Sequence, residues 1–97
     1  MKKLGLLVTV KAKNGKEDTV SNFLATAVEL ARQEDKTLTW YAFQIDTSTY
    51  GVFDTFETEE GRKAHLTGEI AKALMASADE LLSENPKIEK INILSSK

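Results

Sequence analysis

The segment "TLTWYAFQIDTSTYGVFDTFE", residues 37–57, decides the fold. Aromatic and β-branched residues fill Thr37–Asp46 and return over Tyr50–Glu57, and the turn-forming stretch "TSTYG" lies where the two runs meet. These runs predict two strands joined as a β-hairpin. Apolar side chains occupy both alternating sets of each strand, so both faces are expected to be apolar. Trp40 and Ala42 oppose Tyr41, Phe43 and Ile45 in the first strand, and Tyr50, Val52 and Phe56 oppose Phe53 in the second.

Two further elements precede the hairpin. Leu4–Lys13 is rich in leucine and β-branched residues on both alternating sets, which predicts a strand covered on both faces. After the turn residues Asn14-Gly15, the stretch Lys16–Glu34 has apolar residues at helical spacing and acidic residues in its first turn, where the helix dipole favours them. This stretch predicts a helix.

Three elements follow the hairpin. Thr58 is a candidate N-cap, and Gly61 and Thr67-Gly68 weaken the helical pattern before it resumes. The pattern predicts a short helix, a bend and a longer helix that ends at Asn85-Pro86, because proline disfavours helix at the residue before it. Ile88–Leu94 then predicts a closing strand.

The predicted order is βαββαβ within a single domain, residues 1–97. With right-handed crossovers, this order predicts an α+β, ferredoxin-like fold, in which a four-stranded antiparallel sheet carries its helices on one face. The other apolar face needs a cover, because soluble monomers rarely expose an apolar patch larger than a few hundred Å². We therefore expect a homodimer whose two sheets pack face to face as a dimeric α/β barrel.

Composition narrows the classes of function. The net charge is −2 and the basic residues are dispersed, so neither nucleic acid nor a membrane surface is an expected partner. The chain has no cysteine and one histidine, which argues against thiolate chemistry and against a metal site. The apolar run after Met1 is too short for a signal peptide or a membrane span, so a cytoplasmic location is expected.

The stretch "VTVKAKNGKEDTVSNFLA" combines a strand, a glycine turn and a helix, and "VFDTFETEEGRKAHLTGEIAKAL" combines a strand, an acidic residue, an aromatic residue, a histidine and a helix. Both stretches resemble the corresponding parts of the antibiotic biosynthesis monooxygenase domain family, whose members are small dimeric α/β barrels. In this resemblance Trp40 stands where many members have tyrosine, Asp54 where glutamate is usual, and Phe56 where tryptophan is frequent. His65 matches the recurrent histidine.

The resemblance implies a cofactor-independent monooxygenase that acts on a small aromatic or quinol-type substrate. His65 would accept a proton or anchor a substrate oxygen, and Asp54 would orient it or bind the substrate. Trp40 and Phe56 would stack on the substrate ring, and Tyr41 and Phe53 are further candidates for substrate binding. The phenylalanine at position 56 and the lack of an asparagine on the first strand argue against haem degradation.

Other interpretations of the same residues stay open. His65 could simply bond a backbone carbonyl at the Leu66–Gly68 bend, and Asp54 could make a structural hydrogen bond. Aromatic residues on strands are usually core or interface residues. The alternative functions are therefore a non-catalytic dimeric barrel that binds a small apolar metabolite, or an isomerase of the same family.

Overall fold

The computed structural model describes residues 3–97, which form four strands and three helices. The elements are β1 (Leu4–Lys11), α1 (Glu17–Ala31), β2 (Thr37–Gln44), β3 (Thr49–Phe56), α2 (Glu59–Leu66), α3 (Glu69–Leu81) and β4 (Lys87–Asn92). This order confirms the predicted βαββαβ arrangement, with the second helical region divided at the predicted bend.

The end of α3 differs from the prediction. The helix ends at Leu81, before the predicted stop at Asn85-Pro86, because the chain turns there to pair with the first strand. Leu82 forms an isolated antiparallel bridge with Ala12, and the backbone N–H of Lys13 donates to the Leu81 carbonyl at 2.8 Å. A tertiary pairing therefore ends the helix before the proline can.

The four strands form one antiparallel sheet in the order β2-β3-β1-β4, as the ferredoxin-like prediction requires. Leu6 lies opposite Asp54, Val8 opposite Val52, and Trp40 on the other side of Asp54. Because residues directly opposite each other share a face, these side chains all lie on one side of the sheet.

The helices cover that side of the sheet, and α1 also packs against α3. The main core cluster contains side chains from both layers: Val10, Ala12, Val20, Leu24, Tyr50, Val52, Ala78, Leu81 and Leu82. Tyr50 is buried, and its hydroxyl donates to the Glu17 carbonyl at 3.2 Å, which ties β3 to the start of α1. The central strand β3 is buried along almost its whole length, and only Phe53 is half-buried.

The second face of the sheet is open and apolar, as predicted. Tyr41 and Phe43 are 57% and 37% exposed on this face. The ring of Phe43 lies over Gly51, and the ring of Phe53 lies over Gly5, where a Cβ atom would come within 2.8 Å of the ring. A side chain at either position would therefore displace the ring that now lies over it.

The helices show no transmembrane character. Of the helices in residues 3–97, none combines the length and the apolar composition needed to cross a bilayer.

Candidate functional site

His65 lies in the last turn of the short helix α2. Thr58 begins this helix as predicted, because its side chain accepts a hydrogen bond from the Gly61 N–H at 3.1 Å. Helical spacing turns Gly61, Arg62 and His65 inward, and His65 is only 6% exposed. The cap and the spacing together direct the imidazole at the helix-covered face of the sheet.

Two carboxylates hold the imidazole, one at each nitrogen. Nε2 of His65 lies 2.7 Å from Oδ2 of Asp54, and Nδ1 lies 2.6 Å from Oε1 of Glu34. Asp54 is completely buried on β3, whereas the Glu34 side chain, beyond the end of α1, is 20% exposed. The three side chains form a line from the dry interior to the surface.

Asp54 is poorly satisfied for a buried carboxylate. Among residues 3–97, neither of its oxygens accepts a well-aligned hydrogen bond: Oδ2 is in close polar contact with Nε2 of His65, and Oδ1 has no hydrogen-bond partner. Most buried polar groups in proteins are hydrogen-bonded, and leaving one unpaired costs about 1–3 kcal/mol. An unpaired acceptor beside a titratable ring is a feature of binding and catalytic sites.

The surroundings shift the pKa of both groups upward. Loss of water raises the pKa of Asp54 above its ordinary value, and the contact with His65 only partly offsets this effect. Burial acts to lower the pKa of His65, but the contacts with Asp54 and Glu34 outweigh burial and raise that pKa. The cluster therefore retains protons that the isolated side chains would release.

His65 separates two spaces. An inner cavity of about 90 Å³ has walls that are almost entirely apolar, and an outer groove of about 340 Å³ opens to solvent. His65 is the one residue in the described part of the chain that lines both spaces, and Glu34 lines the outer groove. The imidazole is thus the wall between an apolar chamber and a polar surface.

The inner cavity reaches the surface between α3 and β4. Met75 and Ile88 line it and are 56% and 49% exposed, so they mark its mouth. Leu6, Val8 and Val52 form its floor on the sheet. Leu6 lies opposite Asp54, but Asp54 itself is not among the residues that line the cavity, so His65 is the member of the pair that faces it.

Solved structures show the same fold. A protein of unknown function from Nitrosomonas europaea, NE2512, matches this chain with a TM-score of 0.98 and 50% sequence identity. The match covers 100% of this chain and 94% of NE2512. This chain belongs to the NE2512 family.

More distant structures support the family resemblance found in the sequence. PA3566 from Pseudomonas aeruginosa has a TM-score of 0.84 at 21% identity, with 98% of this chain and 97% of that chain covered. An antibiotic biosynthesis monooxygenase has a TM-score of 0.81 at 16% identity, with 95% and 99% covered. At these identities the likeness shows the fold. No family model and no curated protein matches the sequence.

In this NE2512-family member, four of the six predicted site residues lie on the helix-covered face or in α2. Asp54 and His65 are in contact, and the buried ring of Phe56 packs beside the imidazole with centroids 5.5 Å apart. Trp40 lies next to Asp54 on β2, packs against the core, and has an indole N–H with no partner within residues 3–97. The site is therefore centred on His65 and backed by Phe56.

The other two predicted residues lie elsewhere. Tyr41 and Phe53 are opposite each other in the β2–β3 pairing and point from the open face of the sheet, away from His65. One pocket within this chain cannot include them together with the imidazole. Their contact with substrate stays a prediction, and it would require a separate binding site on the open face of the sheet.

Sequence reasoning missed Glu34. It was placed at the end of the predicted helix, in a charged stretch that normally faces solvent. The position of Glu34 could have indicated a specific role. An acidic residue just beyond the C-terminus of a helix interacts unfavourably with the helix dipole, so such a residue often has another interaction that stabilises it. The structure supplies that interaction in the contact with Nδ1 of His65.

Proposed function

We propose that this protein is a cofactor-independent monooxygenase-like enzyme that acts on a small aromatic or quinol-type substrate. The observation that carries the proposal is the contact between the buried Asp54 carboxylate, whose Oδ1 accepts no hydrogen bond from residues 3–97, and His65, which lines an apolar cavity. A substrate hydroxyl that donated to Asp54 Oδ1 would supply the missing hydrogen bond. The Asp54–His65 pair would then accept the hydroxyl proton.

The cavity favours a small, flat, apolar ligand. Its volume of about 90 Å³ is less than the ~150 Å³ of an engineered apolar cavity that binds benzene, so one ring would enter only with side-chain movement. Met75 at the mouth has a flexible, unbranched side chain that can make this movement. The proposed substrates are therefore single-ring phenols or hydroquinones.

The proposed reaction balances without a cofactor. A hydroquinone and dioxygen give a hydroxyquinone and water: one oxygen atom replaces a ring hydrogen, and the other leaves as water. All the electrons come from the substrate. Removing the phenolic proton makes the ring electron-rich enough to reduce dioxygen, and the apolar walls exclude water from the intermediate. The protein supplies the proton acceptor and the dry cavity.

The proposal includes a homodimer. The open face of the sheet carries Leu7, Tyr41, Phe43, Phe53 and Ile91, and part of this apolar surface is exposed in the single chain. A second copy of the same flat face would cover it by twofold symmetry. This assembly would place Tyr41 and Phe53 in the interface, which is the alternative considered for strand aromatics.

Oxygen uptake with a panel of single-ring hydroquinones tests the proposed activity. We expect His65→Ala to lower the rate by about 10²–10⁴-fold, the usual contribution of a general acid or base, and Asp54→Asn to lower it as well. Lys63→Ala is the matched control, because Lys63 is exposed on the same helical turn. Equal rates for the wild type and His65→Ala would remove the imidazole from the mechanism.

One observation favours a second candidate, a non-catalytic protein that binds a small apolar metabolite. Both nitrogens of His65 are already in contact with carboxylates, and the inner cavity has no other titratable side chain among its described lining residues. Calorimetric binding of a single-ring ligand without oxygen uptake would support this candidate. Deuterium incorporation from solvent into an otherwise rearranged product would instead indicate an isomerase.

A further inference from the structure

Glu34 is the surface end of the buried cluster. It lines the outer groove, whereas Asp54 is completely buried, and His65 lies between them with contacts of 2.6 and 2.7 Å. A proton that reaches the imidazole from the interior therefore has an acceptor on the solvent side. The Asp54–His65 pair alone would have no such exit.

One further hydrogen bond holds the Glu34 carboxylate, and the backbone at Gly68 leaves room for it. Oε1 accepts a hydrogen bond from the Thr37 hydroxyl at 2.7 Å, at the start of β2. Oε2 lies beside Gly68, at the bend between α2 and α3, where a Cβ atom would be only 3.2 Å away. The Thr37 hydroxyl therefore positions Oε1, the oxygen that contacts Nδ1 of His65.

The other charged groups near His65 are two cations that pair with glutamates of α2 and two further acidic residues that line the outer groove. Lys36 pairs with Glu60 of α2, and Arg62 pairs with Glu59, so neither cation neutralises Glu34. Asp35, after α1, and Glu69, in the first turn of α3, line the outer groove with Glu34. The surroundings of His65 on the groove side are therefore acidic, which favours a proton on Nδ1.

We propose that Glu34 is the positioning residue that keeps the proton of His65 on Nδ1 and relays it to the outer groove. One proton enters at the Asp54 side, the Nδ1 proton passes to Glu34 Oε1, and Glu34 passes it to groove water. The imidazole is then neutral with its proton on Nε2. The starting tautomer is restored, with no net change in protons over the cycle, when Nε2 gives that proton to the water formed in the reaction and Nδ1 takes one from the groove through Glu34. The relay of a substrate proton rests on the proposed function, whereas the positioning of Nδ1 does not.

Nuclear magnetic resonance tests the positioning directly, because His65 is the only histidine of the chain. In the ¹⁵N-labelled wild type we expect the neutral imidazole to carry its proton on Nδ1. In Glu34→Gln we expect this tautomer preference to be lost and the midpoint of the His65 titration to fall, because one of the two carboxylates that raise the pKa is gone. Glu29→Gln is the matched control, because Glu29 is exposed on α1, pairs with Arg32 and does not line the groove; it should leave both readouts unchanged.

Kinetics provide the second arm. If the hydroquinone activity is present, Glu34→Gln should lower kcat by about tenfold or more with little change in KM, as expected for a residue that orients a catalytic imidazole. Wild-type kcat together with an unchanged titration in Glu34→Gln would overturn the inference and leave the proposed function standing. Absence of oxygen uptake in the wild type would overturn the proposed function, and the tautomer measurement would still decide the role of Glu34.

The tautomer of His65 can also be measured in the wild type, so the test does not depend on whether a variant folds. A wild-type imidazole whose neutral form carries its proton on Nε2 would overturn the inference without any substitution. Glu34→Asp provides a second variant, because it keeps the charge but shortens the side chain. We expect it to weaken the Nδ1 preference, and an unchanged tautomer would count against the proposed contact.

Discussion

Replacing Phe56 with alanine tests how strongly the site depends on packing behind the imidazole. The Phe56 side chain is 0% exposed and its ring lies against His65. Truncation of a buried phenylalanine to alanine removes its apolar contacts and leaves a cavity, at a cost of about 3–5 kcal/mol. Small domains have only about 5–15 kcal/mol of total stability, so this one change removes a large fraction of it.

Urea unfolding followed by circular dichroism measures the loss. Phe56→Ala should lower the free energy of unfolding by about 3–5 kcal/mol, while Phe56→Leu, which keeps most of the volume, should cost about 1.5 kcal/mol or less. Leu94→Ala is the control, because Leu94 is 97% exposed and should change stability by no more than about 0.5 kcal/mol. A cost below about 1 kcal/mol for Phe56→Ala would refute the buried packing described for this ring.

Three further predictions concern charge and assembly. Folding raises the pKa of both Asp54 and His65, so the native state binds more protons than the unfolded chain and is stabilised where these groups are protonated. This contribution to stability is complete at a pH below the unfolded-state pKa values, and it is lost as the pH rises through the folded-state values. Unfolding at about pH 6 and about pH 9 should show lower stability at the higher pH, and Asp54→Asn should reduce the difference; an equal difference in the variant would contradict the assignment. Arg62 is buried and donates to the Gly5 and Ile91 carbonyls at 3.2 and 3.3 Å, so Arg62→Met should cost about 2–3 kcal/mol in thermal or urea unfolding, and a neutral effect would show that these carbonyls find other donors. Tyr41→Lys should shift the wild-type dimer expected in sedimentation towards monomer, because it places a charge in the proposed interface; a wild type that sediments as a 10.8 kDa monomer would contradict the dimer itself.

The order of the elements could be predicted from the sequence because local patterns determine it. Alternation of aromatic and β-branched residues marked the hairpin, and helical spacing together with Thr58 marked α2. The end of α3 could not be predicted, because the bridge between Ala12 and Leu82 joins residues far apart in the chain. Proline set only the latest possible end of that helix.

The candidate site could be predicted only in part, for the same physical reason. The alternation along β3 placed Asp54 on the face with Phe56, and the resemblance to a known family drew attention to His65. Glu34 lies 31 residues before His65, and nothing local links the two. The separation of Tyr41 and Phe53 from His65 follows from strand alternation, but treating the hairpin aromatics as one set concealed it.

The two contacts between a ring and a glycine predict that each pair of positions varies together among relatives. A side chain at position 51 would occupy the space of the Phe43 ring, and one at position 5 would occupy that of Phe53. Relatives that gain a Cβ at either glycine should therefore lose the aromatic residue above it in the same lineage. Such paired replacements would change how far the side chains rise above the sheet. They would therefore change how closely another sheet can approach this face.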